Sequence, residues 1–258
     1  MSSTIRRQPH AADALVDKTV IVTGAGSGIG KTVAQVAASA GATVIVTDIK
    51  GHEATAEAIA AAGGSAQARE LDVTSSSAWK SLVEAVIGDR GSVDGLVNVA
   101  GIVLNPDSLL TQDERGWDRV MDVDLKGPFL GMQAVVPHML EAGFGRIVNV
   151  SAVAGVLGMP HVVSYAAAKG GVNALTRQVA VEFADRGIRV NAIAPGVIDT
   201  PILQTVTPEL IAEAKKGAPT GELGIPEDIG DMAVYLLGPA GNFITGQTLV
   251  IDGGWTVA

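Results

Sequence analysis

The sequence predicts an α/β fold: a single-domain, doubly wound parallel sheet of about seven strands with helices on both faces. Three observations lead to it. Short β-branched runs alternate with longer helical stretches along the chain, which implies right-handed crossovers and parallel pairing. The connections are unequal in length, which suits an open sheet better than an eight-fold barrel. Residues 19–38, TVIVTGAGSGIGKTVAQVAA, read as strand, tight turn and helix in direct succession.

The elements follow in order. Thr19 to Thr23 is a strand. Glycines at 24, 26, 28 and 30 come next, and Ile29, Val33, Val36, Ala37 and Ala40 then recur at helical spacings of three and four. Thr43 to Thr47 is the second strand, ending at Asp48. His52 to Ala62 is an alanine-rich helix closed by Gly63 and Gly64. Ala66 to Leu71 is the third strand, ending at Asp72, and Thr74 or Ser75 caps a helix over 75–88. Val93 to Val99 is the fourth strand. A long helical region spans 112–142, where Pro128 is expected to bend or break it. Arg146 to Val150 is the fifth strand, Val162 to Asp185 a helix, and Arg189 to Ile193 the sixth strand. Residues 201–222 mix Pro, Gly and polar residues around a short helical patch. Pro226 to Leu237 is a helix with proline in its first turn, and Leu249 to Ile251 is the last strand. No linker or fixed-period repeat divides the chain. Residues 1–14 read as a mobile arm and 15–258 as one domain, with 201–222 as a lid over the substrate.

Composition narrows the function classes. Hydrophobic residues make up 47% of the 258 and aromatics only 3%, so the core is built from Ala, Val, Ile and Leu. Eighteen Lys and Arg against 27 Asp and Glu leave a net charge of −9, which argues against nucleic-acid or anionic-membrane partners. Cysteine is absent, so disulfides and thiolate metal sites are excluded and a reducing, cytoplasmic location is expected. After Arg6 and Arg7, His10 and Asp13 interrupt any apolar run, so no export signal is read. The uncharged stretch from Ile147 to Ala168 has about the length of a membrane span. It holds Asn149, Ser151, Gly155, Gly158, Pro160 and His161, and a strand, a turn and a helix start account for it better. The four histidines, at 10, 52, 138 and 161, lack metal-ligand spacing, and no metal is expected.

The glycine turn aims backbone N–H groups and the positive end of a helix at an anion. Which anion stays open at this point. The G-x-G-x-x-G fingerprint fails, because Ile29 occupies the place of its third glycine. Gly24, Gly28 and Gly30 keep a G-x-x-x-G-x-G frame. Ala25 to Thr32, AGSGIGKT, loosely fits a nucleotide-triphosphate loop. Asp48, 24 residues after Gly24, separates the two. A strand-end carboxylate at that spacing accepts hydrogen bonds from ribose hydroxyls of a dinucleotide and repels a 2′-phosphate, favouring NAD over NADP. As a magnesium ligand of a triphosphatase it would leave Tyr165 and Lys169 without a role. Those two residues, four apart at a helix start, share one face. An ammonium beside a phenol favours the phenolate, which suits acid–base work near neutral pH.

Taken together, Thr23-Gly24-x-x-x-Gly28-Ile29-Gly30, Asp72-Val73, Asn98-Val99-Ala100-Gly101, Tyr165-x-x-x-Lys169, Asn191-x-x-x-Pro195-Gly196 and Asp252-Gly253-Gly254 run in order over residues 18–254. In this the chain resembles the short-chain dehydrogenase/reductase family. The resemblance implies a Rossmann sheet, a nicotinamide cofactor, hydride transfer between alcohol and carbonyl, and a homotetramer. It also implies roles. Tyr165 would donate or accept the proton, and Lys169 would bind the nicotinamide ribose and tune Tyr165. The turn, with Gly24, Ser27, Gly28, Ile29 and Gly30, would hold the dinucleotide. Asp72 and Val73 would face the adenine, with Asn98, Ala100 and Gly101 at the cofactor ribose region. Ile198 and Thr200, after Pro195-Gly196, would hold the carboxamide.

Two positions depart from the family pattern. Thirteen residues before the tyrosine the family has serine, and this chain has Ala152. Ser151 is adjacent, but neighbours on a strand face opposite ways, so it substitutes only if the strand end is irregular. In the long helix the family has asparagine, holding a water of the proton relay, and this chain has Asp124. A negative charge there is expected to raise the Tyr165 pKa and oppose Lys169. Three explanations stand: a natural enzyme with a modified relay, an engineered variant with slowed turnover, or a cofactor-binding scaffold or sensor with little catalysis. Val103, Leu104, Ala152, Met159, Pro160 and Ile202 are the expected substrate walls. They are mostly apolar and suit a neutral secondary alcohol or ketone.

Overall fold

Successive residues of a strand face opposite sides of its sheet, and here both sides are apolar. Val20 and Val22 of strand β1 (Thr19–Val22) join one core cluster, while Ile21 between them joins another. Strand β2 (Thr43–Asp48) repeats this with Val44 and Val46 on one side and Ile45 on the other. Strands β4 (Gly95–Asn98) and β5 (Gly145–Val150) divide in the same way. Strands β3 (Ser65–Glu70), β6 (Ile188–Pro195) and β7 (Thr248–Ile251) complete a seven-stranded sheet in the order β3-β2-β1-β4-β5-β6-β7, every pair parallel. The computed structural model describes residues 13–104, 107–201, 203 and 208–258.

A strand apolar on both sides needs helices on both. Helices α1 (Gly28–Ser39), α2 (His52–Ala61) and α8 (Pro226–Leu237) cover the first cluster. Helices α3 (Ser76–Arg90), α5 (Gly127–Ala142) and α6 (Val163–Phe183) cover the second. The short helix α4 (Glu114–Met121) precedes α5, and α7 (Pro208–Gly217) lies in the expected lid. Ser75 caps α3 by accepting a bond from Ala78 N at 3.2 Å. Of the expected arm, residues 1–12 lie outside the described residues, and Ala14 packs against the first core cluster.

One expectation is corrected. Pro128 does not break the 112–142 region. It sits in the first turn of α5, where a missing N–H costs nothing, and a second proline, Pro137, lies inside that helix. The irregularity comes before it, as a π turn over Asp122–Lys126 with Asp124 at its centre. Such turns lodge one extra residue in a helix.

The chain passes from β1 outward to β3, then returns to β4 on the other side of β1. At that reversal the helices diverge and leave a crevice at the carboxyl ends of the strands. Asp48 ends β2, and the glycine turn, Ala100, Gly101 and Ala152 follow the carboxyl ends of β1, β4 and β5.

Candidate active site

The glycine turn is fixed from below. Thr23 Oγ1 accepts from Val99 N at 3.0 Å and Ala100 N at 3.1 Å, tying the end of β1 to the end of β4. Gly24 has φ +63°, and a Cβ there would lie 2.8 Å from Ala100 N and Cα. Only glycine meets both demands. Gly30 packs on the Gly24 carbonyl, and Ile29 joins the first core cluster. Ser27 is exposed and its side chain makes no capping bond. The first turn of α1 also carries no acidic residue. Its N–H groups therefore face outward for an anion. Across from Gly28, at φ +52°, the nearest atoms to a hypothetical Cβ belong to Thr200, 3.8 Å away. Asp48 stands beside the turn, accepting from Gly26 N at 2.9 Å and Lys50 N at 3.2 Å. An uncapped helix end, a side-chain-free approach and a flanking carboxylate fit the diphosphate and ribose of a dinucleotide.

Several predicted contacts fall differently. The Asn98 amide is buried and donates to Asn149 Oδ1 at 2.8 Å, and Asn149 donates to Thr176 Oγ1 at 2.9 Å. That chain stitches β4 to β5 and α6, so the Asn98 side chain belongs to the core rather than to a ribose. Val73 is buried too, close against Gly127, and its carbonyl accepts from the Trp79 indole at 3.0 Å. Its side chain therefore faces the core. Asp72 is exposed and closes a turn on Thr74 N at 2.9 Å. Pro195 ends β6. Gly196 N donates to Ile251 O at 2.8 Å, so this turn leans on β7. The Ile198 side chain is buried against Gly224, while Thr200 stays half-buried opposite Gly28.

Tyr165 and Lys169 lie in the first two turns of α6. The Lys169 Nζ is 5.4 Å from the Tyr165 ring centroid. It donates to Val150 O at 3.1 Å and pairs with Asp124 Oδ2 at 3.3 Å, both ion-pair partners being buried. Asp124 Oδ1 accepts from Ile102 N at 2.8 Å. Gly101 lies against this pair, since a Cβ there would come within 2.8 Å of Asp124 Oδ2. Burial pushes the Asp124 carboxyl above the usual range, with Lys169 working against it. Burial alone would lower the Lys169 pKa, but Asp124 and Tyr165 outweigh it, so the ammonium is held more firmly than usual. The Tyr165 phenol is raised by burial first. Lys169 lowers it and Asp124 raises it again. Lys169 and Asp124 act on the phenol in the expected opposite senses, and desolvation of the phenolate outweighs the ammonium, so the Tyr165 pKa is raised.

Ser151 does not take the place of the missing hydroxyl. Its side chain is buried and donates to Lys169 O at 3.1 Å. Ala152 follows in extended backbone, φ −163° and ψ 162°, so its Cβ points to the other side. The expected substrate walls come from two neighbouring segments. Asp107, three residues past Leu104, pairs with Val162, two past Pro160, in a parallel β-bridge. Ile202 lies outside the described residues. Among the described residues no group of three or more His, Cys, Asp or Glu could hold a metal ion, and no helix is long and apolar enough to cross a membrane.

One residue that the sequence reading missed stands out. Asp107 is wholly buried, and its carboxylate accepts from Ser164 N at 3.0 and 3.1 Å and from Tyr165 N at 3.2 Å. Its signal in the sequence is thin: an aspartate in a loop just after Asn-Pro, far from the helix it caps.

Comparison with known proteins adds the following. The family model described as enoyl-(acyl carrier protein) reductase matches residues 24–256. The chain is 40% identical over 252 residues to 3beta-hydroxysteroid dehydrogenase 1 of Eggerthella lenta, covering 95% of this chain and 96% of that one. It is 38% identical over 242 residues to cyclohexanol dehydrogenase of an Acinetobacter species, covering 93% and 95%. The crystal structure of gox2181 superposes with a TM-score of 0.92 at 31% identity, covering 95% of this chain and 97% of that one.

Proposed function

The chain belongs to the short-chain dehydrogenase/reductase family, and from that premise we propose that it moves hydride between NAD and a neutral, apolar secondary alcohol or its ketone. Membership makes it an oxidoreductase of alcohols and carbonyls with a nicotinamide cofactor, and leaves no place for the triphosphate-loop reading of the glycine turn. The observation that carries the finer reading is Tyr165 beside the Lys169 ammonium at the carboxyl edge of the sheet.

The glycine turn would hold the diphosphate, Asp48 the adenosine ribose, and Lys169 the nicotinamide ribose. When bound, the nicotinamide ring supplies the hydride donor or acceptor. Tyr165 Oη takes the alcohol proton during oxidation and returns it during reduction. Lys169 stabilises the phenolate by charge. Asp124 opposes that effect on the phenol while keeping Lys169 charged.

The substrate class follows from the walls. Val103, Leu104, Met159 and Pro160 offer no charge for a phosphate or carboxylate, and two relatives are named for cyclohexanol and for a hydroxysteroid. Incubation with NAD and a panel of cyclic and steroidal alcohols, followed at the NADH absorbance band, is the direct test. Best turnover on acidic or phosphorylated substrates would overturn the apolar pocket. Ala152 and the Asp124–Lys169 pair favour a second reading, a nucleotide-binding sensor with little catalysis. NADH binding without turnover, even after Ala152→Ser, would support that reading instead.

Two further outcomes are expected. Asp48→Asn keeps an acceptor for Gly26 N but removes the charge that repels a 2′-phosphate. The ratio of kcat/KM for NADP to that for NAD should rise at least about tenfold, since like-charge contacts cost several kcal/mol. An unchanged ratio would remove Asp48 from the ribose site. The second concerns pH. Oxidation needs the Tyr165 phenolate, so kcat/KM for an alcohol climbs as pH rises through the Tyr165 pKa. Burial and Asp124 lift that pKa, placing the climb on the alkaline side of an ordinary tyrosine. Asp124→Asn deletes one of the raising influences, so the climb should move to lower pH. Ketone reduction needs the protonated phenol, and its alkaline loss should move the same way. A profile that does not move would mean that Asp124 carries no charge felt by the phenol.

A further inference from the structure

Helix α6 begins without a cap of its own: Val162, the residue before it, makes no side-chain bond to the first turn. The N–H groups there still need acceptors. All three at the helix start find them on one residue of a distant loop. Val163 N donates to Asp107 O at 3.0 Å, and Ser164 N and Tyr165 N donate to the Asp107 carboxylate. The carboxylate is fully buried, so water cannot take its place, and a negative charge is favourable at a helix N-terminus. At the other end of the same loop, Ile102 N is held by Asp124, the ion-pair partner of Lys169. Ile102 is thus tied to the ion-pair partner of the lysine, and Asp107 to the backbone of the tyrosine.

We propose that Asp107 is a positioning residue for Tyr165, holding the start of α6 so that the phenol meets the substrate oxygen. The proposal rests on the acid–base reading of Tyr165 given above. A cap that only holds the helix together would affect folding and every ligand equally. A positioning residue acts chiefly on the chemical step, because the phenol must meet the substrate oxygen within hydrogen-bond reach.

The test uses the full chain, in its own sequence and with Ala152→Ser, carrying Asp107→Ala, Asp107→Asn or, as a control, Tyr165→Phe. Readouts are kcat and KM for a cyclic alcohol, NADH binding by fluorescence, and thermal unfolding. Asp107→Ala should lower kcat by about tenfold to 100-fold, the scale on which a small misplacement costs rate, with NADH affinity unchanged. Asp107→Asn keeps one acceptor and should fall between Asp107→Ala and the parent. A folded Asp107→Ala with parental kcat would overturn the proposal. So would loss of NADH binding in step with kcat in both Asp107 variants, since the carboxylate would then serve the fold. If Tyr165→Phe alone loses turnover, the acid–base reading stands and only the positioning role fails. If Tyr165→Phe keeps turnover, both fall.

Discussion

Exchange of Tyr165 for phenylalanine is expected to lower turnover about 100- to 10,000-fold, the range spanned by a positioned acid–base group, while NADH still binds. The variant removes one hydroxyl and leaves the ring that Lys169 approaches. It also leaves the Lys169 contacts with Asp124 and Val150 O, so the ammonium keeps its place. Steady-state rates with a secondary alcohol, paired with an NADH titration by fluorescence, separate chemistry from binding. Tyr235, the other tyrosine, lies in α8 and is 47% exposed. Its phenylalanine variant serves as the control and should keep parental rates. A fully active Tyr165→Phe protein would end the acid–base assignment.

The second large effect runs the other way. Ala152→Ser should raise the steady-state rate at least tenfold, toward the roughly 100-fold that a single donor on a developing oxyanion contributes. Three facts support this. Ser151 has its hydroxyl committed to Lys169 O. Ala152 is extended, so its Cβ points away from that bond. The position is almost enclosed, 7% exposed, so a hydroxyl there would act with little competition from bulk water. Single-turnover rates and a primary isotope effect from deuterated NADH should both report the change, because it acts on the chemical step. If both enzymes are equally active at equal cofactor occupancy, residue 152 is not where the substrate oxygen sits.

Much of this was legible in the residue order. The seven strands fall within a few positions of their expected bounds. For β1, β2, β4 and β5 the cause is an apolar run buried on both faces, whereas β3 (SAQARE) is partly exposed and lacks β-branched residues. The glycine turn, Asp48 and the Tyr165–Lys169 spacing are local patterns, and each lies where a one-dimensional reading puts it. What the sequence concealed depends on packing across distance. Asn98 has the composition of a cleft residue, but its amide bonds to a strand 51 positions on. Asp107 caps a helix through Ser164, 57 positions on. The Tyr165 phenol shows the same limit. Proximity of an ammonium can be read from an i,i+4 spacing, whereas desolvation depends on what the rest of the chain places around the phenol. In the long helical region Pro128 is the visible signal, but the irregularity lies in the residues before it.

The π turn has a consequence for how this lineage can change. It lodges one surplus residue between α4 and α5, and an α-helix rotates its side chains about 100° per residue. Deleting any one of the five would restore a regular spiral. The five residues of the π turn sweep about as far round the axis as four would in an α-helix, so the deletion would leave Leu130, Val135 and Met139 facing the sheet they cover. What it would lose is the bulged placement of the Asp124 carboxylate against Lys169. Length at this turn thus bears on the ion pair and not on the packing of the helix that follows.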